Sequence, residues 1–491
     1  MARMPWHEAL ALFLLGLEYG LKLIAIGTVP EGRRPSSSHA WLLLILLVPL
    51  VGFPLYYLIG SPYVRGRRRV IQDTVNQVIA AHTAGFPVVP PGAEPSPALE
   101  TVLTMNHRLT GLPCVAGDHL GLYDDATAFF REIAEAVERA ERYVHVEFYI
   151  VAWDATTAPV FQALARARAR GVTVRLLLDH LGSRRYPGWR ELGSRLTAIG
   201  IDWHLMMPLL PLRGQWRRPD LRNHRKLVVI DGELGFMGSH NLIDPAYGSD
   251  VNQRTGRRWR DLSVKLGGAV VGQLQAVFAT DWLAETGEAL EVSLPSAEEM
   301  VNVRVGACVN AMQVVPSGPA YPTEPNRNLC VQLMHQATRR LTITSPYFVP
   351  DESVLTALVG AAYRGVRVEL FVSERSDQFI VGHAQRSYYT ALLQAGVHIY
   401  LYPAPAVLHA KYFTVDDSAG VIGSSNLDYR SFALDYELTL LAFDGDLVAS
   451  LQANDVAYRA ASRLLTLEEW ARHPWTSRYL DNVCRLASAL M

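Results

Sequence analysis

Two histidine and lysine pairs carry most of the chemistry that can be read from this sequence. His224 and Lys226 open the run HRKLVVID, which closes at Asp231, and His409 and Lys411 open HAKYFTVD, which closes at Asp416. Each run is followed by a matching turn, Gly238-Ser239-His240-Asn241 and Gly423-Ser424-Ser425-Asn426, and both the histidines and the Gly-Ser pairs are 185 residues apart (409 − 224 and 423 − 238). With 15 histidines and the four lysines Lys22, Lys226, Lys265 and Lys411 in 491 residues, chance supplies only about 0.1 His-x-Lys triplets. Two occur, with the same residues downstream of each.

Residues two apart on a strand share a face, so each imidazole stands beside an ammonium. That combination suits a phosphodiester: a ring nitrogen attacks phosphorus while the cation draws in the negative oxygens. Ser239, Asn241, Ser424 and Asn426 are expected to bind the phosphate, since the neighbouring glycines allow close backbone approach. Asp231 and Asp416 complete the two catalytic motifs. Their place at strand ends, in Asp231-Gly232 and Asp416-Asp417, predicts bonds to turn amides or to neighbours rather than proton transfer. Arginine makes up the other 42 of 46 basic residues, so Lys226 and Lys411 stand where a compact ammonium is needed. Lys265, His145, His240 and His335 fall outside the pattern and are expected to be structural.

The elements around these residues alternate helix and strand. Periodicity predicts a helix at Ala126 to Arg142, a strand at Tyr143 to Ile150, a helix at Ala158 to Arg170 and a strand at Val172 to Asp179. The order returns as a strand at Leu341 to Ser345, a helix at Asp351 to Arg364, a strand at Val366 to Val372 and a helix through Ala395. GVTVRLLLD (Gly171 to Asp179) has its counterpart in GVRVELFVS (Gly365 to Ser373). The expected class is α/β, a mixed, mostly parallel sheet covered by helices and built twice. A Pro-rich stretch, Val88 to Pro97, separates the repeats from what precedes them. The expected division is an anchor at 1–62, a linker leading into the repeats at 63–118, a first repeat at 119–295 and a second at 296–491.

The anchor is read from two apolar segments. Ala40 to Gly60 carries no charge and matches the roughly 20 residues that span a bilayer. Ala9 to Val29 is also long enough, and its Glu18 and Lys22, four apart, can pair and lower the cost of burial. Two membrane helices are therefore expected. Arg3 before the first, and Arg65, Arg67, Arg68 and Arg69 after the second, outweigh Arg33 and Arg34 between them, which places both the N-terminus and the catalytic unit in the cytoplasm. Cys114, Cys308, Cys330 and Cys484 form no C-x-x-C pair, in keeping with a reducing compartment. A net charge of −1 disfavours a nucleic-acid partner. The sequence also lacks H-E-x-x-H, C-x-x-C or a carboxylate cluster, so neither metal nor cofactor is expected.

The duplicated His-x-Lys-x4-Asp-x6-Gly-Ser pattern resembles that of the phospholipase D superfamily. Arg33 to Gly60, Trp259-Arg260-Asp261, Asp281-Trp282, QVVPSGP at Gln313 to Pro319 and SPYFVPDE at Ser345 to Glu352 extend the likeness to the bacterial cardiolipin synthases. The resemblance implies two repeats packed as a pseudo-twofold pair around one site. His224 would be the nucleophile and His409 the general acid and then base, with Asp244 and Glu437 orienting the histidines. It also implies a phosphatidyltransferase of the bacterial inner membrane that joins two phosphatidylglycerol molecules through a phosphatidyl-histidine. Gly238-Ser239 departs from the Gly-Gly frequent in those synthases, and Val407 stands where phenylalanine is frequent. A phospholipase D releasing phosphatidic acid is the nearest rival and a nuclease a more distant one. A lipid-binding protein without turnover is disfavoured by the intact pairs in both halves. The basic run Pro211 to Arg225 reads either as a headgroup contact or as a solvated loop.

Overall fold

The computed structural model describes residues 5–31, 35–60, 66–210, 212, 215–296, 303, 305–306 and 309–486. Arg3, Arg33, Arg34, Arg65 and Cys308, used in the sequence reading, lie outside the described residues.

One large sheet holds the molecule together. Its order from one rim begins Asp202–Met206, Thr173–Asp179, Tyr143–Phe148, Lys226–Ile230, Leu234–Gly238, Ser263–Gly268. From the other rim, inside the edge strand Arg463–Leu465, it runs His398–Tyr402, Arg367–Ser373, Arg340–Thr344, Tyr412–Val415, Ala419–Gly423, Asp435–Phe443. The two series are joined by Val115–Tyr123 and Val309–Ser317, which pair with each other in the middle. In each series the outer three strands are parallel and the inner three antiparallel. The α/β expectation holds, with a sheet more mixed than mostly parallel. Leu176, Leu177 and Leu178 are all buried, as expected of a strand covered on both faces.

Helices fall where periodicity places them, at Ala126–Glu138, Ala158–Ala169 and Glu352–Tyr363. Asp125 and Asp351 cap the first and third by accepting amide hydrogen bonds. The segment 63–118 is more than a linker. It contains the helices Arg67–Thr83 and Pro97–Thr110, whose Ile79, Leu99, Val102 and Leu103 are buried in the core.

The anchor differs from its expected form. Trp6–Thr28 is a single 23-residue apolar helix, long enough to cross a membrane, and Lys22 bonds Glu18 at 2.6 Å within it. The uncharged second segment is no continuous span. It is broken into Pro35–Leu47, Pro49–Leu55 and a π-helical turn, Tyr56–Gly60. Val48 leaves the helical region (φ −137°, ψ 70°) because it precedes a proline, and Pro49 then starts a new helix. The new helix folds back so tightly that a Cβ on Gly52 would stand 2.9 Å from the Cα of Ile45. Trp41 meets Tyr56 edge to face across the hairpin. Hydropathy measured length here and overlooked Pro49.

Candidate active site

His224 and His409 each stand at the mouth of an inner antiparallel strand, and both line one cavity of about 430 Å³. His224 binds the carboxylate of Glu437 through Nδ1, at 2.9 and 3.1 Å to its two oxygens. His409 binds Asp261 through Nδ1 at 2.6 Å. In both cases Nδ1 donates and Nε2 is left for the cavity. The carboxylates are exchanged: Glu437 follows the second motif yet serves the first histidine, and Asp261 follows the first motif yet serves the second.

Burial pushes His224 well below its ordinary pKa, and Lys226, Lys411 and His409 push the same way. His409 is also lowered by burial and by Lys411, but Asp261 works against the shift. Burial opposes charge on Asp261, yet His409 and Lys411 hold it well below the usual carboxylate range. Glu437 is raised by burial with Lys226 opposing. The two lysines donate to the carbonyls of their own histidines, Lys226 Nζ to His224 at 2.5 Å and Lys411 Nζ to His409 at 2.6 Å. Burial brings Lys226 down to about 7 and Lys411 to about 8.

The two serines do not face a phosphate. Ser239 Oγ donates to Asp261 at 2.7 Å and Ser424 Oγ donates to Glu437, while each accepts an amide, from Leu262 and Leu438, at 2.9 Å. Both are buried and hold the carboxylates that hold the histidines. Asn241 and Asn426 do line the cavity, and their Nδ2 groups bond Tyr247 and Ser431.

The motif aspartates lie at the far ends of the strands that the motifs open. Asp231 and Asp416 adopt left-handed backbone (φ 54° and 51°), which aspartate tolerates better than most residues. Asp231 accepts the amides of Glu141, Arg142 and Tyr143, and Asp416 those of Thr338, Arg339 and Arg340. Burial works against Asp416's charge, but these bonds keep it below the usual range. Listing the pair with the catalytic residues is thus corrected toward the turn-bonding part of the same reading.

Asp244 is a second correction. Its carboxylate accepts from Thr156 Oγ1 at 2.9 Å and from the Ala246 amide at 2.8 Å, and no bond joins it to a histidine. The physical cause is a length difference between the halves: 22 residues separate Ser239 from Asp261, but 13 separate Ser424 from Glu437. The extra residues include the helix Asp250–Thr255, so the spacing in the second half does not carry over to the carboxylate of the first. The signal that could have found Asp261 was already in the sequence, in Trp259-Arg260-Asp261.

His240 stacks on Phe129 and bonds Ser263 at 2.8 Å, His145 stacks on Phe278, and Lys265 pairs with Glu132 at 2.6 Å, all away from the cavity. Next to His224 lies a buried arginine network. Arg225 and Arg68 both pair with Asp281, and Arg225 Nε donates to the Glu437 carbonyl at 3.1 Å. Arg68 comes from the basic run just after the anchor, so that run is partly core rather than wholly membrane-facing.

A family model described as "Cardiolipin synthase, PLD-like domain" matches residues 133–282 and 330–454. The chain belongs to the cardiolipin synthase family of phospholipase D-like proteins. Among relatives of this family, a cardiolipin synthase A of Pseudomonas putida is 33% identical, with 98% of each chain covered. One of Proteus mirabilis is 32% identical over 94% of each. A cardiolipin synthase of Geobacillus kaustophilus is 31% identical over 99% of this chain and 95% of its own. Residues 21–61 match a model described as "Phospholipase_D-nuclease N-terminal", which spans the end of the long apolar helix and the hairpin. A solved phosphatidylserine synthase of Haemophilus influenzae shares the fold, at a TM-score of 0.59 and 16% identity over 79% of this chain and 99% of its own. In this cardiolipin synthase family member, the sequence reading missed the tyrosines over the histidines: Tyr149 meets His224 edge to face and Tyr347 meets His409.

Proposed function

We propose that the protein makes cardiolipin and glycerol from two phosphatidylglycerol molecules. The two histidines on one cavity, each held by a carboxylate from the other half, are the observation that carries this reading. His224 Nε2 attacks phosphorus, the bond from phosphorus to glycerol oxygen breaks, and His409 gives that oxygen its proton. A second phosphatidylglycerol enters; its terminal hydroxyl loses a proton to His409, attacks phosphorus and breaks the bond to His224. The roles follow from basicity. His224 is the more strongly depressed of the two and stays unprotonated, while ionised Asp261 favours a proton on His409. Lys226 and Lys411 offset the phosphate charge, with Asn241 and Asn426 as neighbouring polar contacts, and Ser239 and Ser424 fix the carboxylates.

The repeats 119–295 and 296–491 act as a pseudo-twofold pair, a reading supported by the matching strand series. The protein is embedded in the bacterial inner membrane by 1–62, its catalytic unit is cytoplasmic, and it has no nucleic-acid partner. Mass spectrometry of phosphatidylglycerol vesicles incubated with the protein tests the function. Cardiolipin is expected, and phosphatidic acid without cardiolipin would overturn it.

A further inference from the structure

The C-terminal helix Trp475–Arg485 is turned inside out. Its one acidic residue, Asp481, is 2% exposed and is bound by His383 at 2.6 Å, His473 at 3.1 Å and Arg386 at 3.3 Å. This clamp fixes the helix on Phe379–Arg386. Outward, in contrast, go Trp475 (71% exposed), Tyr479 (67%), Val483 (43%) and, just past the helix, Leu486 (74%). Their spacing of four, four and three residues sets them on one stripe. Phe379 (68%) and Ile380 (52%) are exposed on the helix that the clamp grips, where Phe379 contacts His383. An apolar surface of this kind marks an interaction site.

Its location and charge indicate what covers it. Gln378 and Val381, either side of Phe379 and Ile380, line the cavity that holds both histidines. Pro219 lines the same cavity, and its neighbour Arg218 donates to the carbonyl of Ile59, at the end of the membrane anchor, at 2.8 Å. The anchor and the exposed pair Phe379 and Ile380 therefore lie beside residues that border one opening. The exposed charges of the C-terminal helix are Arg478 and Arg485, both positive, and aromatic residues with flanking arginines are the composition of a helix lying in an anionic membrane interface.

We infer that Phe379, Ile380, Trp475, Tyr479, Val483 and Leu486 dock on an anionic lipid bilayer and seat the cavity mouth against it. A second membrane contact lets a phosphodiester headgroup enter while its acyl chains stay near the bilayer. The inference rests on the lipid-substrate reading for its purpose, but the docking can be measured separately.

The test uses the full chain in vesicles of phosphatidylglycerol and phosphatidylcholine. A fluorophore on Tyr479→Cys is expected to be quenched by spin-labelled lipid, whereas the same fluorophore on Tyr363→Cys, exposed at the opposite end of the strand Arg367–Ser373, is not. A Phe379→Ser, Ile380→Ser, Trp475→Ser variant should need about tenfold more vesicle lipid for half-maximal rate, with wild-type turnover of a short-chain soluble phosphatidylglycerol. The docking falls if the 479 label stays in water on vesicles that the protein turns over, if the variant loses both substrates equally, or if labels from two copies quench each other without lipid quenching. A quenched label with no cardiolipin formed would keep the docking and sink the proposed function.

Discussion

Asp261 and His409 are 148 residues apart in sequence and 2.6 Å apart in space. That bond crosses between the halves in one direction and the Glu437 to His224 bond crosses in the other, so neither half can align its own histidine alone. Asp261→Asn is expected to lower turnover about a hundredfold or more while the protein stays folded. It should also move the alkaline limb of kcat/KM to lower pH, because removing the anion makes His409, which must hold the proton it gives to glycerol, less basic. Asp244→Asn should leave turnover near wild type. The reverse ranking of the two variants would contradict the pairing.

The lysines set an alkaline limit. Burial puts Lys226 at about 7 and Lys411 at about 8 in the free protein, and each must be charged to attract the substrate phosphate. kcat/KM should therefore fall as pH rises through 7 to 8. A bound phosphodiester stabilises both ammoniums, so the same limb in kcat should lie higher. Steady-state rates from pH 6 to 9 check this, and a flat kcat/KM across that interval would refute it.

Asp231 and Asp416 work through the backbone. Asp416→Asn removes the charge from an acceptor of three amides, which should cost about 1–3 kcal/mol of stability, visible as earlier thermal unfolding of the detergent-solubilised protein. Since Asp416 is held below the usual range, its contribution is full above the unfolded carboxylate pKa and is lost as pH falls through the folded value. The variant should thus differ most from wild type near neutral pH and converge with it in acid. If the fraction that stays folded also loses its histidine chemistry, the aspartate does more than tie the turn.

The anchor gives a topology that hydropathy does not. Trp6–Thr28 rises about 34 Å as a helix, enough for a bilayer core of roughly 30 Å. The 13-residue first arm of the hairpin reaches only about 20 Å. One crossing puts position 6 on the face opposite the catalytic unit and position 31 on the same face. A membrane-impermeant maleimide added to intact cells should label Trp6→Cys and spare Glu31→Cys. Two full crossings would reverse the pattern.

Much of this protein was legible in its residues. The paired motifs, the alternation of helix and strand and the long first helix all depend on short-range spacing, which the chain carries on its face. Asp261, the inward serines and the broken second segment were not. Offsets between repeats keep their meaning only while loop lengths match, and the nine additional residues after Ser239 remove that guide. Whether a hydroxyl faces a phosphate or a carboxylate depends on which strand lies across from it. Only the closing of the two strand series into one sheet decides which carboxylate meets which histidine, because the partner of each histidine comes from the opposite half of the chain.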